Sequence, residues 1–216
     1  MYDVIIVGAG GLGREVCEMA EDLYADSSEY RLKGFLSDVL DVLDGYETSV
    51  PLLGTIKDYV VQPNDRFLMG IGDVEGKKKV AELLLAQGAE FLSLIHPRAL
   101  VFRTARFGKG VVVYPFAHIG ANCDIGDFCL VNVHAAVGHD VELGKYSEVC
   151  PYATITGGVK TGSECMFAIH SGVAPKKVLG ARVRLSAGAM ALHDLPDDSL
   201  VAAAPSKKMR TIHFSK

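Results

Sequence analysis

Hydrophobic and polar positions divide the chain into two textures. In residues 1–96 short apolar runs alternate with stretches of helical spacing. Asp3 to Val7, Lys33 to Ser37 and Arg66 to Gly70 read as buried strands, and Pro51 to Gly54 as a short edge piece. Helical patterns run from Arg14 to about Tyr24, with Val16, Met19, Ala20 and Leu23 on one face, and from Lys77 to Gln87. Thr55 to Val61 reads as a turn or short helix, and Phe91 to Ile95 as a last strand ending at His96-Pro97. Such alternation predicts a small parallel sheet with flanking helices.

From Val101 onward the period changes to six. Stepping from Val101 to Leu185 gives fifteen positions, fourteen of them apolar; the exception is Thr161. The residue after the step is Gly seven times, and the fourth after it is Ala, Cys, Ser or Val in all cases but Lys177. One large and one small inward residue per six is the requirement of a narrow three-sided β-solenoid. A β-sandwich would show alternation with irregular turn spacing and would not hold register this long. Three sides make an 18-residue coil, so residues 101–190 predict five coils. The repeat stops after Ala191, and His193–Pro196 with Leu200–Pro205 reads as a capping stretch followed by a basic tail.

Comparing positions 18 apart places side chains on common columns, with neighbours about 4.8 Å apart. His134, Tyr152 and His170 share one column, for which stacking at a subunit interface is a simpler account than a metal site. His139 lies between Ala121 and Gly157 on another, where small neighbours leave room for a ligand. Asp140 follows it as a carboxylate able to orient the imidazole. Cys123, Cys129 and Cys165 fall on the small inward slot and read as packing residues. Gly8-Ala9-Gly10-Gly11-Leu12-Gly13 follows a strand and opens a helix, so its amides could cradle a phosphate. Asp38 ends the second strand, where a dinucleotide-binding domain places its ribose acid. NAD binding is thus a competing reading, weakened by too few βαβ units for a full dinucleotide site.

Charge narrows the classes further. Net charge is −4, without the basic excess of a nucleic-acid binder. Apolar runs are too short for a membrane span. No signal peptide is visible, and a cytoplasmic location is expected. Five cysteines without a CxxC argue against disulfides and thiolate metal sites. Residues 176–210 hold seven Lys or Arg against three acids, whereas 14–65 hold twelve acids against four bases.

A Gly-rich α/β segment ahead of a hexapeptide repeat resembles the sugar O- and N-acyltransferases, which include sialic acid O-acetyltransferase and the bacterial UDP-amino-sugar and GDP-perosamine N-acetyltransferases. The matching stretches are Val4–Val16, Met69-Gly70-Ile71-Gly72-Asp73, Ile95-His96-Pro97, Asn132 with Val137-Gly138-His139-Asp140, and Leu195–Leu200. The resemblance implies a Rossmann-like α/β acceptor domain over 1–97 and a left-handed parallel β-helix over 98–216. It implies a homotrimer that uses acetyl-CoA and no metal to acetylate a sugar or nucleotide-sugar. His139 would be the base, supported by Asp140 and Asn132. Gly157, Gly158, Lys176, Lys177, Arg182 and Lys207 would serve the CoA. Gly8, Gly10, Gly11, Leu12, Asp38, Gly72, Asp73 and His96 would serve the acceptor. Leu12 stands where the family often has His, and Val39–Val50 is longer and more acidic than usual. A non-sugar acceptor, or a nucleotide-binding oligomeric scaffold without catalysis, are the competing readings.

Overall fold

The computed structural model describes residues 1–204. Strands β1 (Tyr2–Val7), β2 (Tyr30–Leu36), β3 (Leu52–Gly54) and β4 (Asp65–Met69) form one parallel sheet in the order β3-β2-β1-β4. Val4 to Val7 are fully buried because both faces of the sheet are covered, which is why β1 is an unbroken apolar run. Helix α1 (Gly11–Tyr24) starts three residues before the expected Arg14. Its buried stripe is Gly13, Val16, Cys17, Met19 and Ala20. Leu23, expected on that face, is exposed, and the half-buried Tyr24, seven residues after Cys17, takes the end of the stripe instead. Helix α2 (Val74–Ala86) also starts earlier than its apolar pattern, because the Asp73 carboxylate accepts from Gly76 N at 2.6 Å and caps it.

The step of six is confirmed as two-residue rungs, each ending on a step residue, stacked into three parallel faces. Face one has seven rungs, from Leu94–Ile95 to Leu200–Val201; face two has six, from Leu100–Val101 to Met190–Ala191; face three has five, from Arg106–Phe107 to Val178–Leu179. The inward step residues and small slots form one continuous core. The expected last strand of the α/β sheet divides: Phe91 bridges Phe67, but Leu94–Ile95 pairs with Val112–Val113 and opens face one. The repeat also outlasts Ala191, since Leu195 bridges Leu179 and Leu200–Val201 pairs with Arg184–Leu185. That coil advances by 16 residues where the others advance by 18, which broke the spacing in the sequence.

Every corner from Gly110 to Gly188 holds a residue with φ between 56° and 72°. Most are not glycine: Phe128, His134, Asp140, Tyr152 and Lys176 are among them. This left-handed conformation ordinarily costs a non-glycine residue free energy. Here most corner N–H groups are committed to the coil before them, as in Phe128 N to Lys109 O and Asp140 N to Ala121 O, both 2.8 Å. Outward Val112 and Leu130 of face one pack against α1 and β1, so the α/β part sits on that face.

Candidate functional site

His139 and Asp140 occupy the corner between faces two and three, which is the corner opposite face one. The left-handed backbone of Asp140 (φ 57°) turns its carboxylate back, and Oδ2 lies 2.7 Å from His139 Nδ1. His139 and Asn122 both hold the Asp140 carboxyl below its ordinary value. An ionised carboxylate only accepts, so the Nδ1 proton donates to it and Nε2 keeps a free lone pair. The imidazole lies over Gly157, where an added Cβ would stand 2.5 Å from Nε2. Any side chain at 157 would therefore expel the ring. Gly158 N donates to His139 O at 2.8 Å and fixes the backbone of the pair.

The Gly-rich loop lies elsewhere. Gly8 (φ 99°), Gly13 and Gly70 pack backbone to backbone, and a Cβ on Gly13 would collide with Gly8 O. Gly10 is the N-cap of α1, and a Cβ on Gly10 or Gly11 would meet nothing. The amides at this helix start are open and have no side-chain cap or nearby acid. Leu12 packs into the apolar contact with face one and touches the edge of Gly72. Asp73 is occupied as the cap of α2. Asp38 is exposed, and its Oδ1 accepts from Ile56 N (2.9 Å) and Lys57 N (3.3 Å), fixing the turn after β3. His96 Nδ1 accepts from Arg98 N at 3.0 Å in the link between the two parts.

Asn132 is not beside His139 within the chain. It lines a groove of about 530 Å³ between α1 and face one, with Glu15, Tyr114 and Pro151, where Tyr114 Oη donates to Glu15 at 2.9 Å. Lys176 shares the His139 corner; its N–H donates to Gly157 O and its Cγ borders Gly158. Lys177 is half-buried next to it. Arg182 is on a different corner, in a two-pronged pair with Asp198 (2.5 and 2.7 Å). Lys207 lies outside the described residues.

The expected column of rings forms, extended by Phe116: Phe116, His134, Tyr152 and His170 stack with centroids 5.4, 4.9 and 5.0 Å apart. Among the described residues no three His, Cys, Asp or Glu side chains converge as a metal site. None of the described helices is long and apolar enough to cross a membrane. The sequence reading missed Asn122, whose Nδ2 donates to Asp140 Oδ1 at 3.2 Å; its signal was the 18-residue spacing from Asp140. It also missed Lys77, buried, and Glu148, half-buried, where α2 meets face one.

The α/β unit thus sits on one face of a parallel β-helix, with the His-Asp pair on the opposite corner. Residues 3–84 match the PglD N-terminal domain family. The chain is 29% identical over 139 residues to GDP-perosamine N-acetyltransferase of Escherichia coli O157:H7, covering 62% of this chain and 61% of that protein. It is 32% identical over 116 residues to UDP-N-acetylbacillosamine N-acetyltransferase of Bacillus subtilis (strain 168), covering 52% of this chain and 51% of that protein. The chain thus spans between half and two thirds of these curated relatives. Among solved structures, the acetyltransferase domain of PglB from Neisseria gonorrhoeae FA1090 in complex with acetyl coenzyme A superposes with a TM-score of 0.84 at 28% identity, over 96% of this chain and 98% of that one. PerB from Caulobacter crescentus, in complex with CoA and GDP-perosamine, gives 0.82 at 28% identity over 96% and 97%. Over nearly its whole length the chain is thus similar to sugar acetyltransferases, and over residues 3–84 it carries the PglD N-terminal domain.

Proposed function

We infer that the protein transfers an acetyl group from acetyl-CoA to an amino or hydroxyl group of a sugar or nucleotide-sugar. The reading is carried by one observation: the His139 ring is tethered to Asp140 through Nδ1 and presents Nε2 above the bare backbone of Gly157. Nε2 takes the proton from the acceptor as its nitrogen or oxygen attacks the thioester carbonyl. The Gly157 amide faces the developing oxyanion. Collapse expels the CoA thiolate, which takes the proton back from the imidazolium. Lys176 and Lys177 stand on the same end of the solenoid and suit the CoA phosphates. The open amides of Gly10 and Gly11 suit an acceptor phosphate.

The relatives support the substrates: PglB's domain binds acetyl coenzyme A, and PerB binds CoA and GDP-perosamine. The acting unit is the homotrimer that the family resemblance implies, and the loop on face one with His139 on the corner opposite suits a site completed by a second copy. An acceptor held by one copy then meets the base of its neighbour.

The test is CoA release, followed with a thiol reagent, across GDP-perosamine, UDP-amino sugars and sialic acid. At least one acceptor should turn over, and His139→Ala should lose at least about a hundredfold while still binding acetyl-CoA. Near-normal turnover in His139→Ala moves the base elsewhere. No CoA release with any acceptor, together with tight NADH binding, replaces this reading with a dinucleotide-binding one.

A further inference from the structure

The corner column that carries Asp140 contains Thr104, Asn122, Asp140, Gly158 and Lys176, each one coil from the next. Within it Asn122 donates to both neighbouring coils. Asn122 N donates to Thr104 Oγ1 at 2.9 Å, Asn122 Nδ2 donates to Asp140 Oδ1 at 3.2 Å, and Asp140 Oδ2 receives the His139 Nδ1 proton at 2.7 Å. The two carboxylate oxygens are therefore held from opposite sides, one by the amide of the coil below and one by the imidazole. We propose that Asn122 is a positioning residue for His139, which fixes the Asp140 carboxylate and through it the ring rotation and tautomer that leave Nε2 free. The inference rests on the acyl-transfer reading of His139.

The physical case is exposure. His139 and Asp140 side chains are 70% and 56% exposed. An exposed ion pair alone spends much of its time apart, because water competes for both members. A carboxylate that loses this geometry lets the imidazole turn over and take the other tautomer, with its proton on Nε2, where it cannot act as base. A second donor on the far oxygen removes the rotation that would break the pair. Thr104 in turn keeps Asn122 in place through the backbone. Asn at 122 also suits its left-handed corner (φ 57°), so a purely structural role must be separated from a positioning one.

Two variants do this. Asn122→Gly and Asn122→Asp both keep a residue that accepts the left-handed corner, and both lack the amide donor. Nitrogen NMR of the histidine-labelled full chain at about pH 8.5, where an ordinary imidazole is neutral, reads the tautomer directly. The His139 signals are assigned by their absence in His139→Gln. The wild type should show a single tautomer protonated at Nδ1, and both variants a mixture, with melting temperatures close to wild type. In turnover with an acceptor found in the CoA-release panel, kcat should fall roughly tenfold, the effect of one hydrogen bond to a charged group, with KM for acetyl-CoA unchanged. Wild-type nitrogen shifts in either folded variant overturn the proposal, as does unchanged kcat in a variant whose tautomer has moved. The NMR result stands whether or not His139 proves to be the base, so failure of the positioning role and failure of the acyl-transfer reading are told apart.

Discussion

Thr161 is the one polar residue in the large inward series, and its hydroxyl explains the exception. Oγ1 accepts from Gly144 N at 3.0 Å and donates to Gly162 O at 3.1 Å, closing two backbone groups at a half-buried rung. Thr161→Val removes both bonds while keeping the shape. It should lower unfolding free energy by more than about 1 kcal/mol in chemical denaturation. A neutral result would reduce Thr161 to packing. Gly10 offers the opposite case. As the N-cap of α1, with open space where a side chain would go, it accepts Asp without strain. Gly10→Asp should raise the melting temperature slightly through the new cap. It should also raise KM for a phosphate-bearing acceptor, because the added carboxylate would stand at the proposed phosphate site. A KM that does not move would mean the acceptor's phosphate, if it has one, is held elsewhere. At this scale much was legible, since the column arithmetic placed His139 between Ala121 and Gly157. The tie from Asn122 to Asp140 was equally present in the 18-residue spacing. The left-handed corners were not, because Phe, Tyr, His and Lys at those positions carry no signature of the conformation they adopt.

Where α2 meets face one, a buried Lys77 lies near a half-buried Glu148. Lys77 is 1% exposed and its Nζ has no hydrogen bond. Burial depresses the Lys77 ammonium, and burial pushes the Glu148 carboxyl up, with each weakly countered by the other's charge. Cys150, 3.6 Å from Glu148, is pushed up to about 12 by the same burial. The sign follows for each group. A carboxyl whose folded value is raised disfavours its ionised form in the fold. Its cost is absent below the ordinary carboxylate range and grows as pH rises through it. For Lys77, depressed in the fold, the cost is absent at high pH and grows as pH falls through the ordinary amine range. Both costs are present at pH 7. Lys77→Met with Glu148→Gln should therefore stabilise the protein by about 1–4 kcal/mol at neutral pH, with Lys77→Met alone gaining less because it strands Glu148. Melting temperatures at about pH 7 and pH 4 check this, since the share due to Glu148 should vanish at the lower pH. The double variant losing stability at pH 7 would show that the pair holds the interface. The elements themselves were legible from periodicity, yet their docking was not. It depends on outward Val112 and Leu130, which are buried only because α1 lies on them, and a step-of-six count records inward positions alone.

A triangular prism sets the terms for the whole molecule. A face and the corner opposite it are the most distant parts of one coil, and the chain places its helix-start amides on face one and His139 on the far corner. The groove that holds Asn132 is on the side of face one as well. Single-chain chemistry would require an acceptor to span the solenoid, whereas in the proposed ring of three copies the loop of one would stand beside the corner of the next. This arrangement has a consequence for mixed assemblies. His139→Ala removes the base and leaves the loop intact, and Gly10→Asp impairs the loop and leaves the base intact. Co-expressed in equal amounts, the two chains assemble at random. A site with a working loop from the His139→Ala chain and a working base from the Gly10→Asp chain then arises at about one junction in four. The mixture should recover up to about a quarter of wild-type turnover per site at low acceptor concentration, where each parent alone is deficient. Recovery should appear only on co-expression or after subunit exchange, and not on brief mixing of the purified parents. If each site is built from one chain, every site in the mixture carries one of the two defects, and turnover stays at the average of the parents. The measurement thus decides between a shared and a private site without a structure of the assembly. Sedimentation of the same samples checks that both parents and the mixture form the same size of particle.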